Sequence, residues 1–84
     1  MYKLRVTPQA KKQLRLITKL VRRNAIDVVF EELKQYPYLG KPLTRELTGR
    51  HVWKLGVYRV IYVINKTDKT VKIIAAGHRS VVYQ

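Results

Sequence analysis

Ten residues in the C-terminal half, Trp53-Lys54-Leu55-Gly56-Val57-Tyr58-Arg59-Val60-Ile61-Tyr62, constrain the fold more than any other segment. They read as a tight β-hairpin with Gly56-Val57 as its two-residue turn, glycine supplying the positive φ that a type II′ turn needs first. That turn sets Leu55 opposite Tyr58 and Lys54 opposite Arg59 on one face. Like charges facing each other across a strand pair are unfavourable by roughly 0.2–1 kcal/mol. A pair placed there suggests a shared anion, and a nucleic-acid phosphate is the obvious candidate.

Strands are expected over residues 50–55, 58–65 and 70–78, with Lys66-Thr67-Asp68-Lys69 as the second turn. Pairing Asn65 with Thr70 sets Ile64 against Val71, Tyr62 against Ile73 and Val60 against Ala75. One face then carries Trp53, Leu55, Tyr58, Val60, Tyr62, Ile64, Val71, Ile73 and Ala75, and asks for a cover. The other carries Arg50, Val52, Lys54, Arg59, Ile61, Val63, Lys72, Ile74 and Ala76 and is expected to stay open. The same register returns His78 and Arg79 to the Gly56 turn, so Lys54, Arg59 and Arg79 should meet at one corner of the open face.

The N-terminal half supplies the cover. Residues 2–7 alternate, with Tyr2, Leu4 and Val6 opposed to Lys3, Arg5 and Thr7, as in a half-buried strand. Thr7-Pro8 reads as an N-cap with proline at the first helical position, opening a helix over residues 8–22. Its apolar stripe is Ala10, Leu14, Ile17 and Val21, widened by Leu16 and Leu20, and Lys11, Lys12, Arg15, Lys19, Arg22 and Arg23 lie opposite. Asn24 reads as the cap of a second helix, with Asp27 near its positive end, Ile26, Val29, Phe30, Leu33 and Tyr36 as its stripe, and Tyr36-Pro37 as its stop. Residues 37–49 read as loop, with Leu43 and Leu47 tucked into the core. The expected fold class is α+β: an N-terminal strand, an antiparallel helical hairpin and a three-stranded antiparallel meander, the helices packed on one face of a four-stranded sheet.

Eighty-four residues allow one domain over 1–84. With no cysteine there is neither a disulfide nor a thiolate metal site, and two histidines with five scattered acids give no convincing metal set, so metal ligands and cofactors are expected to be none. The glycines make no phosphate-binding loop, and Ser80, the only serine, has no partner set for nucleophilic catalysis. No apolar run approaches a membrane span and no signal-peptide pattern opens the chain, so a cytoplasmic protein without a membrane partner is expected. Net charge is +13, and eight basic residues precede the first acid, Asp27. Such an imbalance favours polyanionic partners. A cationic corner with aromatics suits stabilisation of a pentavalent phosphorane in RNA cleavage, where the ribose 2′-OH is the nucleophile.

The layout resembles the RelE/ParE superfamily of toxin–antitoxin toxins along nearly the whole chain. The most specific parts are Pro42-Leu43 with Leu47-Thr48-Gly49, then Trp53 to Tyr62, then Gly77-His78-Arg79 with Val82-Tyr83. The last two look like the RelE branch, whose members are ribosome-dependent mRNA endonucleases. The resemblance implies a metal-independent endoribonuclease with Lys54, Arg59 and Arg79 around the scissile phosphate and Tyr83 stacking on or near a substrate base. It also implies mRNA and ribosomal RNA in the ribosomal A site as partners, a small acidic antitoxin that wraps the toxin, and a monomeric free toxin. Arg50, Lys72 and His78 are secondary RNA-contact candidates; histidine is the natural acid of ribonuclease chemistry. His51, on the covered face beside Trp53, reads as structural. Some RelE-type toxins carry a further basic residue two positions before Lys54, where this chain has Val52, and no C-terminal helix is expected.

Two other readings fit the same residues. A ParE-like toxin binds DNA gyrase without nuclease activity, and a non-catalytic basic module binds RNA without cutting it. Charge focused on one point favours the nuclease over the gyrase binder, which has no need of it, and steeply salt-dependent binding without cleavage would mark the RNA-binding module.

Overall fold

The computed structural model describes residues 1–17, 19–43 and 49–82. In chain order these form β1 (Lys3–Val6), α1 (Pro8–Arg15), α2 (Leu20–Gln35), β2 (Lys41–Pro42), β3 (Arg50–Leu55), β4 (Tyr58–Asn65), β5 (Thr70–His78) and the one-turn α3 (Arg79–Val82). The strands make one sheet in the order β1-β5-β4-β3-β2, antiparallel except where β1 runs parallel to β5. The α+β class holds. The sheet has five strands, not four, because Lys41 and Pro42 add a short edge against Val52 and His51. Proline is tolerated there because an edge strand can lack a donor on its outer side.

The helices cover one face. Ala10, Leu14 and Ile17 of the first helical segment and Ile26, Val29, Phe30 and Leu33 of α2 bury against Val60, Tyr62, Val71, Ile73 and Ala76. Tyr62 is fully buried, and its hydroxyl donates to Pro37 O at 2.8 Å and accepts from Gly40 N at 2.9 Å. This bond pair anchors the segment leading into β2. Gly40 fits there because an added Cβ would lie 2.5 Å from Tyr62 Oη and 2.7 Å from Val52 O.

The helical hairpin breaks earlier than expected. α1 ends at Arg15, with Leu16 N–H on Gln13 O and Ile17 N–H on Leu14 O, and α2 begins at Leu20. Asn24 is therefore inside α2 and caps nothing. Arg23 Nη1 instead donates to Leu14 O at 3.0 Å, satisfying an end carbonyl of α1. With α1 ending at Arg15 and α2 starting at Leu20, Leu16, Leu20 and Val21 are exposed at 74%, 73% and 81% instead of in the core. The start of α1 is as expected: Thr7 Oγ1 accepts from Ala10 N at 3.2 Å, with Pro8 first in the helix. Tyr36 does end α2, but it is exposed and not part of the core stripe.

The β4–β5 register holds from Asn65 opposite Thr70 to Tyr62 opposite Ile73, then shifts by one residue. Ile61 faces Ala75 and Val60 faces Ala76, so Ile74 is the extra residue of a β-bulge. The expected pairing of Val60 with Ala75 is corrected accordingly. Ala76 belongs to the helix-covered core, and Ala75 joins a second small core on the opposite face with Val52, Ile61 and Val82, flanked by Leu43 and Ile74. That face is thus only partly open: α3, an element not expected from sequence, lays Val82 across its middle. Leu43 does tuck in, on this side; Leu47 lies outside the described residues.

Candidate nucleic-acid interface

The hairpin forms in the expected register. Leu55 faces Tyr58 and Lys54 faces Arg59, and Gly56 has φ +60°. In a two-residue hairpin the closing pair is hydrogen-bonded, so the next pair, Lys54 and Arg59, is a narrow one with Cα atoms about 4.5 Å apart. Arg59 is also opposite Gly77 on β5. No side chain stands beside Arg59 on that strand, and Gly77 has φ +152°, a conformation strained for any other residue. The Arg79 N–H donates to Val57 O at 2.8 Å, which ties the start of α3 to the Gly56 turn. Register and this bond thus bring the backbones of Lys54, Arg59 and Arg79 to the same hairpin turn.

Arg59 is partly ordered by its own turn. Its Nη1 donates to Gly56 O and to Tyr58 O, the latter at 2.9 Å. A guanidinium has five N–H donors. With both Nη1 protons turned to the loop, Nε and Nη2 are the groups left to meet an anion. Lys54 and Arg79 are exposed.

The bulge changes the side on which His78 stands. Without it, His78 would share the open face with Lys72; with it, His78 is opposite Tyr58, toward the helices. The two rings are edge-to-face with centroids 6.1 Å apart, and Arg22 donates to Tyr58 Oη at 2.7 Å. His78 Nδ1 accepts from Ser80 N at 3.1 Å and lies 2.8 Å from Ser80 Oγ. An imidazole nitrogen that accepts a backbone N–H leaves the ring proton on Nε2 in the neutral form. His78 thus caps the turn that begins at Arg79, a role that sequence reading missed. Upstream, β1 stops opposite Ile73, so Ala76 N–H has no strand partner on that side; Gln13 Oε1 accepts it at 3.0 Å. α1 therefore braces the strand end that sets Gly77 beside Arg59.

Arg50 and Lys72 lie on the same face as Lys54 and Arg59 but four to five residues along the strands, on either side of Val63. They do not join the corner. Val52, two residues before Lys54, is 3% exposed in the small core with Val82. A charge there would displace the second core. Tyr83 lies outside the described residues. His51 is structural as expected: it stacks on Tyr62 at 5.4 Å, its Nδ1 is buried without a partner, and burial lowers its pKa below the usual 6.5. Among the described residues no cluster of three His, Asp or Glu side chains forms a metal site, and no helix is long and apolar enough to cross a membrane.

Sequence and fold match a known family. The model for the ParE toxin of type II toxin–antitoxin systems (parDE) fits residues 4–83. Toxin RelG of Mycobacterium tuberculosis is 32% identical over 84 residues, covering 99% of this chain and 97% of that protein. Toxin RelE of the same organism is 33% identical over 84 residues, covering 99% of this chain and 87% of the relative. Among solved structures, the toxin–antitoxin complex RelBE2 from M. tuberculosis superposes with a TM-score of 0.82 at 33% identity, covering 93% of this chain and 98% of that one. The intact E. coli RelBE complex matches in fold, with a TM-score of 0.79 at 21% identity over 93% of this chain and 96% of that chain. The chain belongs to the RelE/ParE superfamily of type II toxin–antitoxin toxins.

Proposed function

We propose that the chain is a ribosome-dependent endoribonuclease that cuts mRNA in the A site and is held in check by a small acidic antitoxin. The observation that supports this reading is that strand register and the Arg79 N–H to Val57 O bond place the backbones of Lys54, Arg59 and Arg79 at a single turn. In the reaction, Lys54 takes the proton of the ribose 2′-OH and the freed oxygen attacks the adjacent phosphorus. The bond from phosphorus to the 5′-oxygen breaks, and Arg79 supplies the proton to that leaving oxygen. The products are a 2′,3′-cyclic phosphate and a 5′-hydroxyl. Arg59 holds the non-bridging oxygens as their charge grows, a preorganised donor of the kind commonly worth about 10²–10³ in rate. Tyr83 stacks on a substrate base, and Arg50, Lys72 and His78 contact RNA outside the reacting linkage. No protein nucleophile and no metal is required.

The antitoxin is supported by the M. tuberculosis relative of 33% identity, which was solved as a toxin–antitoxin complex. A net charge of +13 suits an acidic partner. The match to the ParE model favours one alternative, a gyrase-binding toxin without nuclease activity. Adding the purified chain to a translating cell extract, mapping message ends by primer extension and assaying gyrase supercoiling in parallel separates the two. The nuclease gives codon-phased breaks with supercoiling intact. The gyrase binder blocks supercoiling and leaves the message whole.

A further inference from the structure

The open face has a second basic region at its other end. Arg5 on β1 is the cross-strand partner of Lys72 on β5, Lys72 of Val63 on β4, and Val63 of Arg50 on β3. Residues directly opposite share a face, so Arg5, Lys72 and Arg50 form one row across four strands, about 14 Å long at the usual strand spacing. Lys3, two residues before Arg5, joins them, and Lys3, Arg5 and Lys72 line a groove of about 530 Å³ with Asn65, Asp68 and Thr70. The Val82 and Ile61 cluster lies between this groove and the corner at Arg59.

Three cations share the groove with one acid. Asp68 is engaged in the β4–β5 turn, accepting from Asn65 Nδ2 at 3.1 Å while its own N–H bonds Asn65 Oδ1. The one ion pair among the described residues joins Lys34 and Glu31, on α2. Lysine and arginine on an edge strand are a common guard against edge-to-edge pairing, which accounts for Lys3 and Arg5. It does not account for Lys72, which stands on an interior strand directly beside Arg5, where like charges oppose each other.

We propose that this groove binds the sugar–phosphate backbone of a base-paired nucleic acid, separately from the corner. Sites for single strands combine charge with aromatic platforms on which bases stack. Among the described residues no aromatic side chain lines this groove. A duplex turns its bases inward and offers phosphates and sugars, which a basic surface meets without reading sequence. The groove adds an anchor for folded nucleic acid to a molecule whose corner handles a single strand, and it does so whether or not the corner cuts.

The test uses the full chain carrying Arg59→Ala, so that cutting does not interfere, with and without the triple change Lys3→Gln, Arg5→Gln and Lys72→Gln. Binding to an RNA hairpin, a DNA hairpin of the same sequence and a single-stranded oligonucleotide of equal length is measured from 0.05 to 0.3 M salt. The triple change should lower the slope of log affinity against log salt by about 2–3 on a hairpin and weaken binding about tenfold or more near 0.1 M. The single strand should lose less than about threefold, as expected without stacking contacts in the groove. The two hairpins distinguish RNA from DNA as the source of the backbone. A charge-preserving set, Lys3→Arg, Arg5→Lys and Lys72→Arg, should restore hairpin binding, and a thermal melt shows that each variant is folded. An unchanged hairpin slope, or an equal loss on the single strand, overturns the proposal.

Discussion

The two ends of the open sheet face carry similar charge but are built differently. At the corner, backbone geometry fixes the cations. Gly56 turns the hairpin, Gly77 clears the strand beside Arg59, Arg59 Nη1 is tied to its own loop, and His78 caps the turn that starts at Arg79. At the groove, Lys3, Arg5 and Lys72 stand on strands and have no ion pair among the described residues. Electrostatic catalysis depends on donors already aimed at the charge that develops, whereas backbone binding depends mainly on how many phosphates are neutralised. On the proposed readings, the contrast is between a preorganised centre and a tolerant charged surface. Changes at the first should act on a rate, and changes at the second on the salt dependence of binding.

The largest effect should come from Arg59→Ala. On the proposed nuclease reading it lowers single-turnover cutting by about 10²–10³, while a melting curve stays near that of the parent. Next is Gly77→Ala, which forces a side chain into φ +152°. It should cost about 1–3 kcal/mol in a denaturant melt and reduce cutting as well, because Arg79 follows two residues on. Loss of stability alone would detach the glycine from the corner. Tyr62→Phe should cost about 1–3 kcal/mol, because Gly40 N–H and Pro37 O lose a buried partner. This one acts on the fold, so cutting measured well below the melting temperature should persist.

The smallest effect concerns pH. Burial holds the folded pKa of His51 below 6.5, so the unfolded chain binds the proton more readily. The stabilisation is present above pH 6.5 and is lost as pH falls through the folded pKa. Melting temperatures at about pH 7.5 and pH 5 should therefore differ more for the parent than for His51→Phe, which keeps the stack on Tyr62 but cannot charge. Equal differences would remove His51 as the titrating group.

Much of this arrangement could be read from residues alone, and the parts that could not have identifiable reasons. The hairpin register was legible because Gly56 marks the turn and the flanking residues alternate. The bulge was not: Ile73, Ile74, Ala75 and Ala76 are all apolar, so no alternation shows where the strand changes face. That one residue decides the side of His78. The helix break was hidden because no glycine or proline stands between residues 15 and 20, and Lys19 caps α2 without a side-chain bond. β2 is two residues long and contains a proline, too little for any periodic signal. Within the site, Lys54, Arg59 and Arg79 were legible through the turn, while the row from Arg5 to Arg50 depends on a parallel pairing between residues 67 apart, Arg5 and Lys72. Nothing local announces such a pairing.

Whether the three corner cations act on one phosphate is best tested by a double-mutant cycle on single-turnover cutting of a ribosome-bound message. Groups that work as a unit lose most of their effect when any one is removed. Arg59→Ala and Arg79→Ala should each lower the rate by about 10² or more, and the double variant should be little slower than the worse single. Losses below about tenfold for each, or losses whose logarithms simply add, would contradict a shared centre.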